Sequence, residues 1–205
     1  MLGVMRMMEM TRRLILDRPV PGDVDAVFAI ANDPRTWSHL PEARVTDPGQ
    51  TAALLAMFHA GWKANGLAAW VLRPGSDEGL PGLAPGRLLG TGGVNLVQAG
   101  AESAVWNLGY RLDPACWGRG FATELATYAV DRARATGKDV PVIARVLSSN
   151  PSSTRVAQKA GLQLRWEGPA GVQGAAAAGE VAVTRLILAD RELEPGVLQW
   201  LVSRG

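Results

Sequence analysis

Cysteine is almost absent: Cys116 is the single one in 205 residues. A disulfide framework within the chain is therefore excluded, and so is a metal site built from cysteine thiolates. Histidine is nearly as scarce. His39 and His59 lie far from Cys116 in sequence and lack metal-ligand spacing, so no metal is expected. No block of basic residues stands out, and 21 Lys and Arg against 19 Asp and Glu leave a formal net charge of +2. That balance carries no nucleic-acid footprint and offers no steering field. No stretch reaches the roughly 18 apolar residues of a membrane span. The opening MLGVMRMMEM is broken by Arg6 and Glu9 and is too short for a signal peptide. It reads as a disordered lead over residues 1–10, or as sequence ahead of a start at Met10. One free cysteine and no export signal make the cytoplasm the simplest compartment. Internal repeats and long linkers are also missing, so one domain over residues 11–190 with a tail at 191–205 is expected.

What is present is a globular composition, 47% hydrophobic and 20% charged, well able to bury a core. Residues 12–17 read as a short strand. Val24, Val27, Phe28 and Ala31 then repeat at helical spacing behind Asp23. Residues 51–64 form a second amphipathic helix that stops at Asn65-Gly66. Residues 67–72 and 87–97 read as strands, the second with glycines at 90, 92 and 93 that suggest a kink or bulge. Between them, 73–86 is rich in proline and glycine and reads as an exposed loop. Residues 103–112 alternate, with Ala104, Trp106, Leu108, Tyr110 and Leu112 on one face and Val105, Asn107, Gly109 and Arg111 on the other. A long helix follows from Arg119 to about Thr136. Strands are expected at 140–146, 162–166 and 180–188, and a short helix at 152–160. The Ala- and Gly-rich run 168–179 reads as a loop, and the tail as a short closing helix. Strands interleaved with helices make this a mixed α/β chain.

Chemistry concentrates in Trp117-Gly118-Arg119-Gly120-Phe121-Ala122. A strand stops, a glycine turn follows, and a helix begins. The first N–H groups of a helix have no partner within it, and their partial charge together with the helix dipole favours an anion there. Glycines 118 and 120 permit close approach to a ligand, and Ala122 keeps the first turn open. Taken alone, the hexapeptide fits either this anion seat or a bare strand–helix turn. There is no GxxxxGKS/T, so a nucleotide-cleaving P-loop is unsupported, and GTGGVN at 90–95 lacks the third glycine of a dinucleotide fingerprint.

The longer stretch LGYRLDPACWGRGFATEL, residues 108–125, resembles the acetyl-coenzyme A loop of the GNAT N-acetyltransferase superfamily. It is most similar to the ribosomal-protein acetyltransferase branch (RimJ/RimL-like), in which a strand ending L-x-P is followed by W-G-x-G-Y/F-A-T-E. Leu112, Pro114, Trp117, Gly118, Gly120, Phe121, Ala122, Thr123 and Glu124 all fit. A second block, from Asn150 through Ser153, Arg155, Val156 and Lys159 to Gly161-Leu162, resembles the branch's N-x-x-S-x-R/K-V-x-x-K-x-G-F. The opening from Thr11 is similar to its usual start.

The resemblance implies a GNAT fold: a twisted, mostly antiparallel sheet of about seven strands with helices on both faces. It implies acetyl-coenzyme A as cosubstrate and a primary amine as acceptor, in a monomer or homodimer; composition adds the expectation of no metal, no nucleic acid and no membrane. The coenzyme would sit where parallel strands ending near 112 and 146 splay apart. The main chain of Tyr110, Arg111 and Leu112 would pair with its pantetheine arm as an added strand. The N–H groups of residues 118–123 would hold the diphosphate, with Trp117 and Arg119 alongside. Asn150 would bond the pantetheine, and Ser153 would lie near the sulfur as donor to the departing thiolate. Many members of the branch carry Glu two residues before the strand glycine. Here that position is Asn107, which cannot take a proton at neutral pH but can hold a water or the amine. Glu102 is a substitute base. The coenzyme-binding role without strong catalysis is the rival expectation. Cys116 reads as a small packing residue, and Trp37 and His39 as possible walls of the acceptor pocket.

Overall fold

The computed structural model describes residues 8–75, 81–170 and 184–204. The strands are β1 (Met8–Met10), β2 (Leu14–Asp17), β3 (Trp70–Pro74), β4 (Gly90–Gln98), β5 (Ala104–Leu112), β6 (Val142–Leu147), β7 (Gln163–Pro169) and β8 (Thr184–Ala189). They form one sheet in the order β1-β2-β3-β4-β5-β6-β8-β7. Every neighbouring pair is antiparallel except β5–β6. The helices are α1 (Val24–Ala31), α2 (Pro48–Asn65), α3 (Phe121–Ala135), α4 (Pro151–Lys159) and α5 (Pro195–Ser203).

Strand alternation divides the core between the two faces of the sheet. Trp106, Leu108 and Leu112 of β5, Ala144 and Val146 of β6 and Leu188 of β8 face α3 and α4. There they meet the α3 stripe of Leu125, Ala126, Ala129, Val130 and Ala133. On the opposite face, Val27 and Ile30 of α1 and Leu55 and Phe58 of α2 pack on Ala69 and Val71. Farther along that face, Val197 and Leu201 of α5 cover Val105, Ile143 and Ile187. The closing helix expected in the tail is thus a packed part of the domain.

Three expectations change. The lead expected to be disordered over 1–10 is ordered from Met8, because Met8–Met10 pairs with β2 at the sheet edge. Tyr128 and Arg132 of α3 fasten that strand by bonding the Glu9 carboxylate at 2.8 and 2.7 Å. This edge strand raises the sheet from about seven strands to eight. The glycines of β4 mark no bulge, since its register with β5 is unbroken from Gly90 to Gln98. Gly92 instead answers a close approach: a Cβ there would lie 2.5 Å from the Tyr110 Cβ and 2.6 Å from a Leu125 methyl carbon. Residues 76–80 of the loop read at 73–86, residues 171–179 of the run read at 168–179, and residues 180–183 of the last strand lie outside the described residues, as do 1–7.

Candidate active site

The sheet opens at its one parallel junction. Strands β5 and β6 share only the pairs Trp106↔Val142 and Asn107↔Ile143. Beyond them the strands diverge, and a cleft of 1310 Å³ occupies the gap. Trp106 N–H donates to the Pro141 carbonyl at 2.8 Å. By antiparallel alternation, the main-chain groups of Leu108, Tyr110 and Leu112 also point to the β6 side. That leaves an open strand edge along the cleft. Arg111 departs from expectation here: alternation turns its main chain toward Thr91 of β4, its register partner. Its N–H and C=O therefore belong to the ladder, and its side chain goes to the α1/α2 face. The far end of the edge is closed by Trp117, whose indole N–H donates to the Leu112 carbonyl at 3.1 Å.

The helix mouth lies in the same cleft. Gly118 and Gly120 have φ of 75° and 79°, the left-handed region that favours glycine. Their turn brings the chain into α3 with no side-chain cap at Gly120. The first helical bond is Glu124 N–H to the Gly120 carbonyl at 3.0 Å. The N–H groups of residues 118–123 donate to no acceptor among the described residues. Gly118, Gly120, Phe121, Ala122 and Thr123 line the cleft directly. Six consecutive amides without a described acceptor around a helix start form an arrangement that favours an anion.

This turn is anchored from a distance. Glu124 accepts from the Thr11 hydroxyl at 2.6 Å, from the Arg13 N–H at 2.8 Å and from Arg13 Nε at 2.7 Å. Arg13 Nη1 then donates to the Arg119 carbonyl at 2.9 Å, and its guanidinium lies 4.7 Å from the Phe121 ring centre. Burial alone would raise the Glu124 pKa, but the Thr11 and Arg13 donors outweigh it and hold the carboxyl below its usual range. The Arg119 side chain bonds the Pro81 carbonyl at 2.7 Å.

On the β6 side, Asn150 starts α4, its Oδ1 accepting from the Ser153 N–H at 3.1 Å. Its side-chain NH2 has no described acceptor. Ser153 Oγ accepts from the Tyr110 hydroxyl at 3.1 Å across the gap. Burial pushes the Tyr110 hydroxyl above its ordinary pKa, with a smaller opposing effect from Ser153. Tyr110 therefore keeps its proton at neutral pH.

The sequence matches the family profile described as the acetyltransferase (GNAT) domain over residues 13–163. The chain belongs to the GNAT acetyltransferase family. No functionally curated protein matches its sequence. Solved structures share the GNAT fold at low identity. A GnaT-family acetyltransferase from Bordetella pertussis is 20% identical, with 91% of this chain and 100% of that one covered and a TM-score of 0.67. The acetyltransferase yncA from Salmonella typhimurium, with its cofactor acetyl-CoA, is 18% identical at coverages of 89% and 95% and a TM-score of 0.61. RimL, the ribosomal L7/L12 alpha-N-protein acetyltransferase in complex with coenzyme A, is 15% identical at 90% and 97%, with a TM-score of 0.63.

In this GNAT domain the α1/α2 side of the cleft carries no carboxylate among its described lining residues. Asn107 sits on that side at the last β5–β6 pair, and its Oδ1 is buried without a described partner. Glu102 is exposed in the turn before β5, at the end remote from the cleft, so the substitute base expected there is not in place. Arg111 stacks 3.4 Å from the Trp37 ring centre and donates to the Thr36 carbonyl, which fixes the segment after α1 over the cleft. Burial lowers the Arg111 pKa to about 10. His39 follows Trp37 along the lining. Burial, and then the Arg111 charge, lower its pKa, so its imidazole is neutral at pH 7. Cys116 is 1% exposed, and burial raises its thiol pKa, as suits a packing residue. Sequence reading missed the Tyr110 hydroxyl and the Thr11–Arg13–Glu124 anchor. Tyr110 was read there for its main chain alone; nothing local signals the anchor.

Proposed function

We propose that this protein is an acetyl-coenzyme A-dependent N-acetyltransferase of the RimJ/RimL-like branch, acting in the cytoplasm by direct transfer to a primary amine. One observation carries the reading: six amides at the mouth of α3, without an acceptor among the described residues, adjoin an open strand edge, and five of those six residues line the same cleft as that edge. The amides of Gly118, Arg119, Gly120, Phe121, Ala122 and Thr123 suit a diphosphate. The edge at Leu108, Tyr110 and Leu112, with the Asn150 amide opposite, suits the two amide groups of a pantetheine arm. Trp117 borders both. When bound, acetyl-coenzyme A supplies a thioester whose acyl carbon is open to amine attack.

The residues then divide the remaining work. The strand edge and helix mouth fix the thioester against the amine, the kind of alignment that is worth about 7–11 kcal/mol in favourable cases. A main-chain N–H near Leu108–Tyr110 is placed to donate to the carbonyl oxygen. Tyr110, protonated and held by Ser153, delivers a proton to the leaving sulfur. His39, neutral and on the α1/α2 side, accepts the proton of the amine through water. General acid–base steps of this kind contribute about 10²–10⁴-fold each.

The second reading is a coenzyme-binding module with little catalysis, favoured by Asn107 and by the absence of a carboxylate from the described lining. Release of free thiol from acetyl-coenzyme A, measured across a panel of primary amines, separates the two. Turnover that falls at least tenfold in Tyr110→Phe supports the transferase. Absence of turnover on every amine, with coenzyme still bound, supports the module.

A further inference from the structure

Among its described lining residues, the α1/α2 side of the cleft carries arginines and no carboxylate. Along this face β5 presents Asn107, Gly109 and Arg111, β6 presents Ile143, Arg145 and Leu147, and β8 presents Arg185, Ile187 and Ala189. Arg145 is paired with Ile187, and Leu147 with Arg185, so the two arginines are diagonal neighbours, about 7–8 Å apart at the backbone. Both line the cleft. Neither has a carboxylate within ion-pairing distance among the described residues. Arg145 gives one Nη2 bond to the Arg204 carbonyl at 2.7 Å, while its Nε is buried with no described acceptor. The Arg185 guanidinium donates to no described group. Burial lowers the pKa of both, and for Arg145 the neighbouring Arg185 charge lowers it further.

Two partly desolvated guanidiniums side by side repel each other, and buried donors without acceptors are costly. Such an arrangement is suited to an anion that both can reach, since guanidinium matches carboxylate and phosphate oxygens in a fork. The coenzyme's diphosphate is a poor candidate for that anion. The helix mouth of α3 proposed to seat it lies on the opposite face of the sheet, at the other side of the gap between β5 and β6. On the acetyltransferase reading, the α1/α2 face is the side left open to the acceptor.

We propose that the acceptor amine carries an anionic group, a carboxylate, phosphonate or phosphate, which docks on Arg145 and Arg185 while its nitrogen faces the gap between β5 and β6. This substrate class rests on the acetyltransferase reading of the same cleft. A free metabolite and an acidic protein N-terminus share the chemistry, and probes distinguish them.

The test is calorimetric binding to the full chain saturated with free coenzyme A, where no transfer occurs. Matched titrants are 2-aminoethylphosphonate against ethanolamine, L-glutamate against L-glutamine amide, and the peptide Glu-Glu-Ala amide against Gln-Gln-Ala amide. The expected result is at least tenfold tighter binding of the anionic member of one pair, the pair identifying the source. That preference is expected to vanish in Arg145→Gln/Arg185→Gln with coenzyme A affinity retained. Should the double variant fail to fold, Arg185→Gln alone, at the less buried position, is expected to lose most of the preference. Equal or tighter binding of the neutral members, no binding by any anionic member, or a preference untouched by the variants overturns the proposal. Thiol release with acetyl-coenzyme A is run in parallel. Anion-selective binding without turnover sinks the transferase reading alone, and turnover on neutral amines without anion preference sinks this one alone.

Discussion

Replacing Glu124 by glutamine tests whether the anion seat is held from outside its own loop. The carboxylate accepts three bonds, two from Arg13 and one from Thr11. Glutamine offers one carbonyl oxygen and turns an NH2 toward donors, so the charge-assisted bond to Arg13 Nε is lost. Both partners are mainly buried, with side-chain exposures of 28% for Arg13 and 14% for Glu124, so solvent screens the pair only partly. Hydrogen bonds to charged groups contribute about 1.5–3 kcal/mol. A loss of about 2 kcal/mol lowers the melting temperature of a domain this size by about 4–8 °C. Freed from Glu124, Arg13 also loosens its hold on the Arg119 carbonyl, and the free amides of 118–120 then have to be ordered by the ligand. Coenzyme A affinity is expected to fall about tenfold, equivalent to about 1.4 kcal/mol. The assays are thermal melts and calorimetric titration, with Thr11→Val as control, which loses about 1 kcal/mol and leaves coenzyme binding nearly intact. The sign with pH is fixed. The folded carboxyl titrates below its unfolded value of about 4.3, so its contribution is present above that pH and is lost as pH falls through the lower folded value. The variant and the parent should therefore converge in acid. A variant that melts within about 1 °C of the parent at neutral pH and binds coenzyme equally refutes the anchoring argument.

Tyr110→Phe is expected to lower kcat about 10²-fold with the KM for acetyl-coenzyme A little changed, while Ser153→Ala costs about fivefold, the worth of about 1 kcal/mol. Steady-state thiol release reads both. Because His39 is neutral down to a pKa below 6.5, kcat/KM for the amine holds until pH drops through that value and then declines. In His39→Gln that acid limb should disappear from the pH–rate profile and the plateau should fall. Gly92→Ala places a methyl against Tyr110 and Leu125 and is expected to destabilise the fold by about 1–3 kcal/mol, read by denaturant midpoint.

The glycine turn and the uncapped helix start were legible because their determinants are local. Trp117 to Glu124 contain the glycine turn, the missing cap and the helix start in eight residues, and Asn150-Pro151 announces α4 in two. Burial on alternate sides of β5 followed directly from its apolar periodicity. What escaped depends on register or on distant contacts. Arg13 and Glu124 are 111 positions apart, and the convergence of Arg145 with Arg185 exists only once β6 and β8 are aligned. Met8–Met10 is three residues long and becomes a strand only because β2 offers an edge. Gly92 looked like a flaw in the strand because its cause, the pressure of Tyr110 and Leu125, comes from elsewhere in the chain.

The junction of β5 and β6 has a mechanical consequence. The sheet's two halves are zipped together by just two pairs of residues, so a molecule laid along the open edge supplies the rungs the polypeptide omits. Any such guest adds RT ln(1 + [L]/Kd) to stability, about 2.7 kcal/mol at a hundredfold excess over Kd. Amide exchange in β6 and β8 is where that reinforcement would be felt first, and the protein's resistance to unfolding would then follow the cell's supply of the coenzyme.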